Sequence, residues 1–182
     1  MQTNEIIYLD LEYCYPGMTR ESGRPSSEDL RQVVQISAIR FDTKAGKEID
    51  SFDVLTLPKF ETVLPEFFVE LTGITQEDVT TQGTPFPEAL EKLRSFIGDT
   101  PVRTFHLDEE VLRQNCGYFE MEFPLASFAR VKDMLPDFHI DPNQYSSGTL
   151  YKAVGLTMEG WVHNALHDVR SMAQAMYVLG KK

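Results

Sequence analysis

Between residues 6 and 57 the chain repeats its apolar side chains in twos, and from residue 64 onward mostly in threes and fours. The first spacing suits strands and the second suits helices, so the order of elements is constrained before any single residue is weighed. Period two predicts strands over residues 6–12, 32–42 and 49–57, the last two joined at Gly46, as a three-strand meander. Helical spacing follows over 64–71 and 75–79, broken at Gly73, and over 85–97 with Phe86, Leu90, Leu93, Phe96 and Ile97 on one side. A short strand at 102–105, a helix at 108–116 ended by Gly117, an apolar stretch at 128–131 and a helix at 149–154 stopped by Gly155 come next. A long helix at 164–179 closes the chain, with Leu166, Val169, Met172, Ala173, Met176 and Leu179 on one stripe. A meander followed by alternating strand and helix predicts an α/β mixed sheet flanked by helices, in which ligands collect at the carboxyl ends of strands. With 182 residues, 42% apolar and 25% charged, we expect a single domain over residues 1–182 with a full core.

Charge and cysteine content narrow the classes of function. A net charge of -11, with 17 basic residues scattered along the chain, argues against gripping long nucleic acid by its phosphates. A short single-stranded end remains acceptable, because bound divalent ions would offset carboxylate charge where a phosphate approaches. Cys14 and Cys116 are too few for a stapled secreted fold and wrongly spaced for a zinc knuckle, so both read as packing residues in a reducing compartment. Residues 1–5 contain no basic segment leading into an apolar run, and no window approaches a membrane span, so a soluble, cytoplasmic protein is expected.

The first strand carries the chemistry. In Ile6-Ile7-Tyr8-Leu9-Asp10-Leu11-Glu12 the two acids are two positions apart and therefore point the same way at the strand's carboxyl end. Two carboxylates side by side repel unless something positive holds them, and a divalent metal is the natural candidate. Asp108, between the fourth strand and its helix, would bring a third carboxylate to the same edge, although an Asp there also serves as a cap or dipole partner. Glu109 and Glu110 read as surface acids of the first helical turn.

The segment Gly160-Trp161-Val162-His163-Asn164-Ala165-Leu166-His167-Asp168 supplies a histidine five residues before an acid. Five residues turn a helix through about 500°, leaving the two about 140° from coincidence, so His163 must precede the helix rather than share its face. Asn164 is then the cap, Asp168 lies a turn inside, and the imidazole can swing over the site. His167 is aimed elsewhere, and Trp161 is expected to pack beneath the His163 loop. Four carboxylates form the hard oxygen set suited to Mg²⁺ or Mn²⁺, and with one histidine as base they fit two-metal phosphoryl chemistry. Arg20 and Arg24, in a polar loop at 15–27, are phosphate candidates, though solvated loop charge is the simpler reading. His139 and Asp141 read as loop punctuation.

Asp10-Leu11-Glu12, Asp108 ahead of Leu112, and His163-Asn-Ala-Leu-His-Asp168 together resemble the three motifs of the DEDDh, or DnaQ-like, 3′-5′ exonucleases, in the same order and over almost the whole chain. Glu70-Leu71-Thr72-Gly73-Ile74-Thr75-Gln76-Glu77-Asp78-Val79 and Thr84-Pro85-Phe86 resemble the branch with KapD-like proteins and histone-mRNA exonucleases. The resemblance implies an RNase H-like α/β fold with a five-stranded mixed sheet, and two Mg²⁺ or Mn²⁺ ions on Asp10, Glu12, Asp108 and Asp168. It implies His163 as general base, a single-stranded RNA or DNA 3′ end as partner, and nucleoside 5′-monophosphates as products. Leu11, Tyr13 and Cys14, with Gly73 and Ile74, would hold the terminal nucleotide. Ahead of Asp108 this chain reads Arg103-Thr104-Phe105-His106-Leu107 where the branch has Trp-Gly or His-Asn, so Arg103, Phe105 or His106 would have to supply base stacking. The competing expectation is a binding or regulatory module that keeps the fold and acts through protein partners.

Overall fold

In the computed structural model, which describes residues 4–22, 29–60, 62–125 and 128–181, the alternating segments form one sheet. β1 (Glu5–Cys14), β2 (Gln32–Asp42) and β3 (Lys47–Leu57) make the antiparallel meander. β5 (Val102–Thr104) lies parallel to β1 on its other side, and β6 (Phe128–Arg130) lies parallel to β5. A further two-residue strand, β4 (Thr84–Pro85), pairs with the end of β3, so the order is β4-β3-β2-β1-β5-β6 and the sheet has six strands where five were expected. Pro85 has no N–H to donate and opens the next helix, which is why pairing stops there and why periodicity alone assigned it to the helix.

Each face of the sheet has its own core. Ile7, Leu9 and Leu11 of β1 pack with Leu90 and Leu93 of α3 (Phe86–Ile97) and with Val111 and Leu112 of α4 (Asp108–Tyr118). Tyr8, Ile39 and Phe41 meet Val169, Met172, Ala173 and Met176 of α6 (Ala165–Leu179). A third cluster of Cys14, Val34, Phe68, Ile74 and Val79 seats α1 (Glu66–Thr72) and α2 (Gln76–Gln82) against the end of the meander. Cys14 and Cys116 lie buried in different clusters.

Helix ends shift by up to three residues from the sequence reading, α2 running on to Gln82, and two segments differ in how they end or wind. Gly117 lies inside α4, which ends after Tyr118; the left-handed turn is taken by Glu120 (φ 55°), while the Cys116 carbonyl accepts from the N–H groups of Phe119 (3.1 Å) and Met121 (3.0 Å). The segment Ser147–Val154 is a 3₁₀ helix rather than an α-helix, started by a reciprocal cap between Ser146 and Thr149 and stopped at Gly155. A short α5 (Val131–Met134) and a 3₁₀ turn (Leu135–Phe138) lead toward it from β6. Among the described residues, no helix is long and apolar enough to cross a membrane.

Candidate active site

Alternation along β1 sends Leu9 and Leu11 into one core and leaves Asp10 and Glu12 on the face of Tyr8, toward α6. β2 fixes how α6 arrives there. Gln35, opposite Glu12 in the β1–β2 register, accepts the Ala165 N–H on its side-chain oxygen at 3.2 Å and donates its side-chain NH₂ to Asp53 at 2.9 Å. Asn164 caps the helix by accepting the His167 N–H at 3.3 Å. With the first turn pinned twice, Asp168 projects toward β1 and His163 is left just outside the helix, in the left-handed region at φ 68°. Asp108 opens α4 directly behind β5, whose parallel pairing with β1 brings it out at the same end of the sheet.

The four acids are buried: Asp10, Glu12, Asp108 and Asp168 retain 6%, 8%, 8% and 2% of their exposure. Together with His163 they line one cavity of about 360 Å³. Its tightest part is Glu12, His163 and Asp168, each offering a ligand atom within 4.8 Å of the others. Burial, with the neighbouring acids adding repulsion, holds the Asp10 and Glu12 carboxyls far above the ordinary carboxylate range. Burial also raises Asp168 to about 7, against the pull of the Ser147 hydroxyl, and Asp108 to about 6, against nearby backbone N–H groups. Desolvation pushes His163 the other way, toward the neutral imidazole.

The Asp168 carboxylate is seated closely. Its Oδ2 accepts from the Ser147 hydroxyl at 3.1 Å, while Oδ1 is buried with no hydrogen-bond partner among the described residues. Gly148 is what allows this approach, because a Cβ there would lie 2.3 Å from Oδ1. A buried carboxylate oxygen without a donor, in a pocket where four acids gather beside His163, suits a hard divalent cation. Asp10, Glu12, Asp108 and Asp168 are the residues that would hold it.

The structure distributes the remaining candidates unevenly. Leu11, Tyr13 and Phe105 line the pocket with the acids, as does His106. Cys14, Gly73 and Ile74 do not: Cys14 is fully buried under α1 and α2, and Gly73 and Ile74 border a separate hollow with Asp53 and Asn164. Arg103 is also directed away from stacking duty, donating to the Tyr8 hydroxyl at 3.2 Å. His167 turns toward the Gly148 carbonyl (3.3 Å), Glu109 and Glu110 pair with Arg113 and Arg130, and Asp141 accepts the Asn143 N–H at 2.9 Å. Arg20 pairs with Glu70 at 2.9 Å; Arg24 lies outside the described residues. Trp161 does not pack beneath the His163 loop: it is 63% exposed, with its indole N–H bound to the Leu71 carbonyl at 3.0 Å.

Several lining residues were not singled out from sequence. Ser147 and Gly148 sit in a Ser-Ser-Gly turn whose capping signal, Ser146 with Thr149, was legible. Lys132, Phe67 and Leu71 carry no local signal, because helical positions facing a pocket read like positions facing a core. A larger hollow, about 580 Å³ between α3 and Leu125, contains two acids, Glu91 and Asp99, both exposed, and no histidine.

Comparison with known proteins agrees with this geometry. The family model described as Exonuclease (RNase T) matches residues 21–176. The 3′-5′ exoribonuclease 1 of Rattus norvegicus is 23% identical over 184 residues, covering 93% of this chain and 51% of the relative; that of Homo sapiens is 22% identical over 182 residues, covering 93% and 50%. The chain thus spans about half the length of these curated relatives. Among solved structures, the nuclease domain of 3′hExo, a DEDDh family member bound to rAMP, superposes with a TM-score of 0.84 at 21% identity, covering 99% of this chain and 93% of that one. The zinc-bound E. coli ExoI–ssDNA complex gives 0.73 at 22% identity, covering 99% of this chain and 41% of that one. These likenesses identify the sheet and its flanking helices as the RNase H-like exonuclease fold. The match across most of the sequence, on a fold that gathers the expected acids, establishes that the chain belongs to the Exonuclease (RNase T) family.

Proposed function

We propose that this chain is a divalent-metal-dependent 3′-5′ exonuclease. It hydrolyses phosphodiester bonds from the free 3′ end of single-stranded or short nucleic acid and releases nucleoside 5′-monophosphates. The observation that carries this reading is the meeting of Asp10, Glu12, Asp108, Asp168 and His163 in one pocket. Two ions, Mg²⁺ or Mn²⁺, would when bound supply the positive field that activates water and offsets phosphate charge. The chain's own residues do the rest. Asp10, Glu12, Asp108 and Asp168 present the oxygens, and their crowding makes the cluster a poor host for anything but a cation. His163, kept neutral by desolvation, accepts the proton of the attacking water at the ring nitrogen that lies near Glu12 and Asp168. Leu11, Tyr13 and Phe105 shape the seat of the terminal nucleotide, and Lys132 adds a cation to the same wall.

The same features weigh against a module that has given up catalysis. Four buried carboxylates cost stability without a counter-ion, and a protein acting only through a partner surface has no use for them. The sheet and its three apolar clusters support reading residues 1–182 as one exonuclease unit, and the two buried, separately packed cysteines suit a reducing, cytoplasmic setting.

Digestion of a 5′-labelled single-stranded oligonucleotide decides the activity. Stepwise loss of 3′ nucleotides with Mg²⁺ or Mn²⁺, abolished by EDTA and by Asp10→Ala, is the expected result; digestion that ignores both would remove the proposal. Running matched RNA and DNA strands in parallel identifies the preferred sugar.

A further inference from the structure

Trp161 is the one tryptophan in the chain and stands two residues before His163. An indole left 63% exposed forgoes the burial that usually stabilises so large a ring. Yet it is not loose: its N–H is tied to the Leu71 carbonyl at 3.0 Å, so the ring is held by its polar edge and offers apolar surface to solvent. The backbone around it is also fixed. Gly160 has φ 138° and abuts the His167 ring so closely that a Cβ would lie 2.2 Å from Nδ1, and the Asn164 N–H closes a turn onto the Trp161 carbonyl at 3.2 Å.

The exposed ring borders a hollow of about 360 Å³ that also includes Arg20, Phe67, Leu71 and His163. Phe67, Leu71 and His163 line the acidic pocket as well, so the two spaces share a wall. On the wall of the same hollow, the Arg20 guanidinium lies over the Phe67 ring at 5.4 Å from its centroid, its exposed pairing with Glu70 easily exchanged for a phosphate. An anchored aromatic platform beside a cation, opening into a site for a 3′ end, matches how single strands are held without sequence reading.

We propose that Trp161 is the stacking platform for the base next to the 3′-terminal nucleotide. The inference rests on the exonuclease reading and extends it by one nucleotide toward the 5′ side. Such a platform favours substrates of two or more nucleotides over a mononucleotide.

Because the chain has a single tryptophan, its intrinsic fluorescence reports this residue alone. Titration of the wild-type protein in Mg²⁺ with hexathymidylate protected by a 3′-terminal phosphorothioate should quench the emission to saturation. Thymidine 5′-monophosphate, which reaches only the acidic pocket, should leave it near its starting value. In steady-state digestion of unprotected hexathymidylate, Trp161→Ala should raise KM by about ten-fold with kcat little changed, and Trp161→Phe should recover most of the loss. Unaltered emission with an oligonucleotide that the protein does digest overturns the platform and leaves the exonuclease standing. A fall in kcat at constant KM overturns it too, since the tryptophan would then only position His163. A protein that neither binds nor digests the oligonucleotide with Mg²⁺ or Mn²⁺ overturns both.

Discussion

The two faces of β1 are made of neighbouring residues with opposite consequences. Ile7, Leu9 and Leu11 disappear into a core with α3 and α4, and every one of them favours the folded state by leaving water. Asp10 and Glu12, interleaved with them, are buried as thoroughly but gain no such stabilisation: desolvation and mutual repulsion raise their carboxyl pKa values. One strand therefore spends stability on one face and accumulates it on the other. The apolar face makes the acidic face possible, because a central strand held on both sides can tolerate charges that an edge strand would release to water.

The sharpest way to break this contrast is to neutralise one acid. Glu12→Gln should reduce kcat on a single-stranded oligonucleotide by roughly a thousand-fold, a loss of several kcal/mol from the barrier. The same variant should melt higher than wild type when both are metal-free; a lower melting temperature would mean the acidic face contributes to folding after all. His163→Ala should lower kcat by about 10²–10⁴-fold with little change in melting, measured on the same substrate. Leu90→Ala, on the apolar face, should show the reverse pattern. It should cost about 2–5 kcal/mol in denaturant unfolding while kcat per folded molecule stays near wild type.

The dependence of folding on pH follows from the direction of the shifts. Asp108 and Asp168 have folded pKa values of about 6 and about 7, above the ordinary carboxyl value of 3.8, so the folded state holds more protons than the unfolded state in between. Stability of the metal-free protein is then fullest below pH about 4 and is lost as pH rises through about 6 to 7. Thermal melts in EDTA should show this decline, and saturating Mg²⁺ should raise the melting temperature most at the high-pH end. A flat profile with no metal response would separate the four acids again. The smallest effect belongs to Glu109, next in sequence to Asp108 but paired with Arg113 at 2.8 Å on the helix surface. Glu109→Gln should change stability by only about 0.3–0.5 kcal/mol and leave turnover intact, although one position separates it from a buried acid.

How much of this was legible in advance depended on range. β2 is found at the residues read from sequence, Gln32–Asp42, because a run rich in Val and Ile with apolar residues on both faces and a turn at Gly46 reads as a buried central strand. His163 and Asp168 were separable by helical arithmetic alone, and Asn164 does cap α6. Gly117 misled because a glycine near the end of a periodic stretch looks like a stop, whereas the chain turned three residues later at Glu120. Trp161 misled for a different reason. A large aromatic ring beside a loop is expected to be buried, and only the Leu71 carbonyl, ninety residues distant in sequence, explains why it stays outside. Lys132, Phe67 and Leu71 gave no sign because nothing in a local pattern distinguishes a pocket wall from a core wall.

By itself the order of side chains determined the periods, the caps and which acids share a strand face, since these depend on backbone geometry over a few residues. Which distant acids meet was left to the tertiary structure. The parallel pairing of β5 with β1 brought Asp108 in, Gln35 pinned the start of α6 so that Asp168 could face Glu12, and Gly148 let a 3₁₀ turn close over the carboxylate. These are contacts between segments up to 130 residues apart. Their geometry depends on how whole elements pack, and no window short enough to read as a pattern contains it.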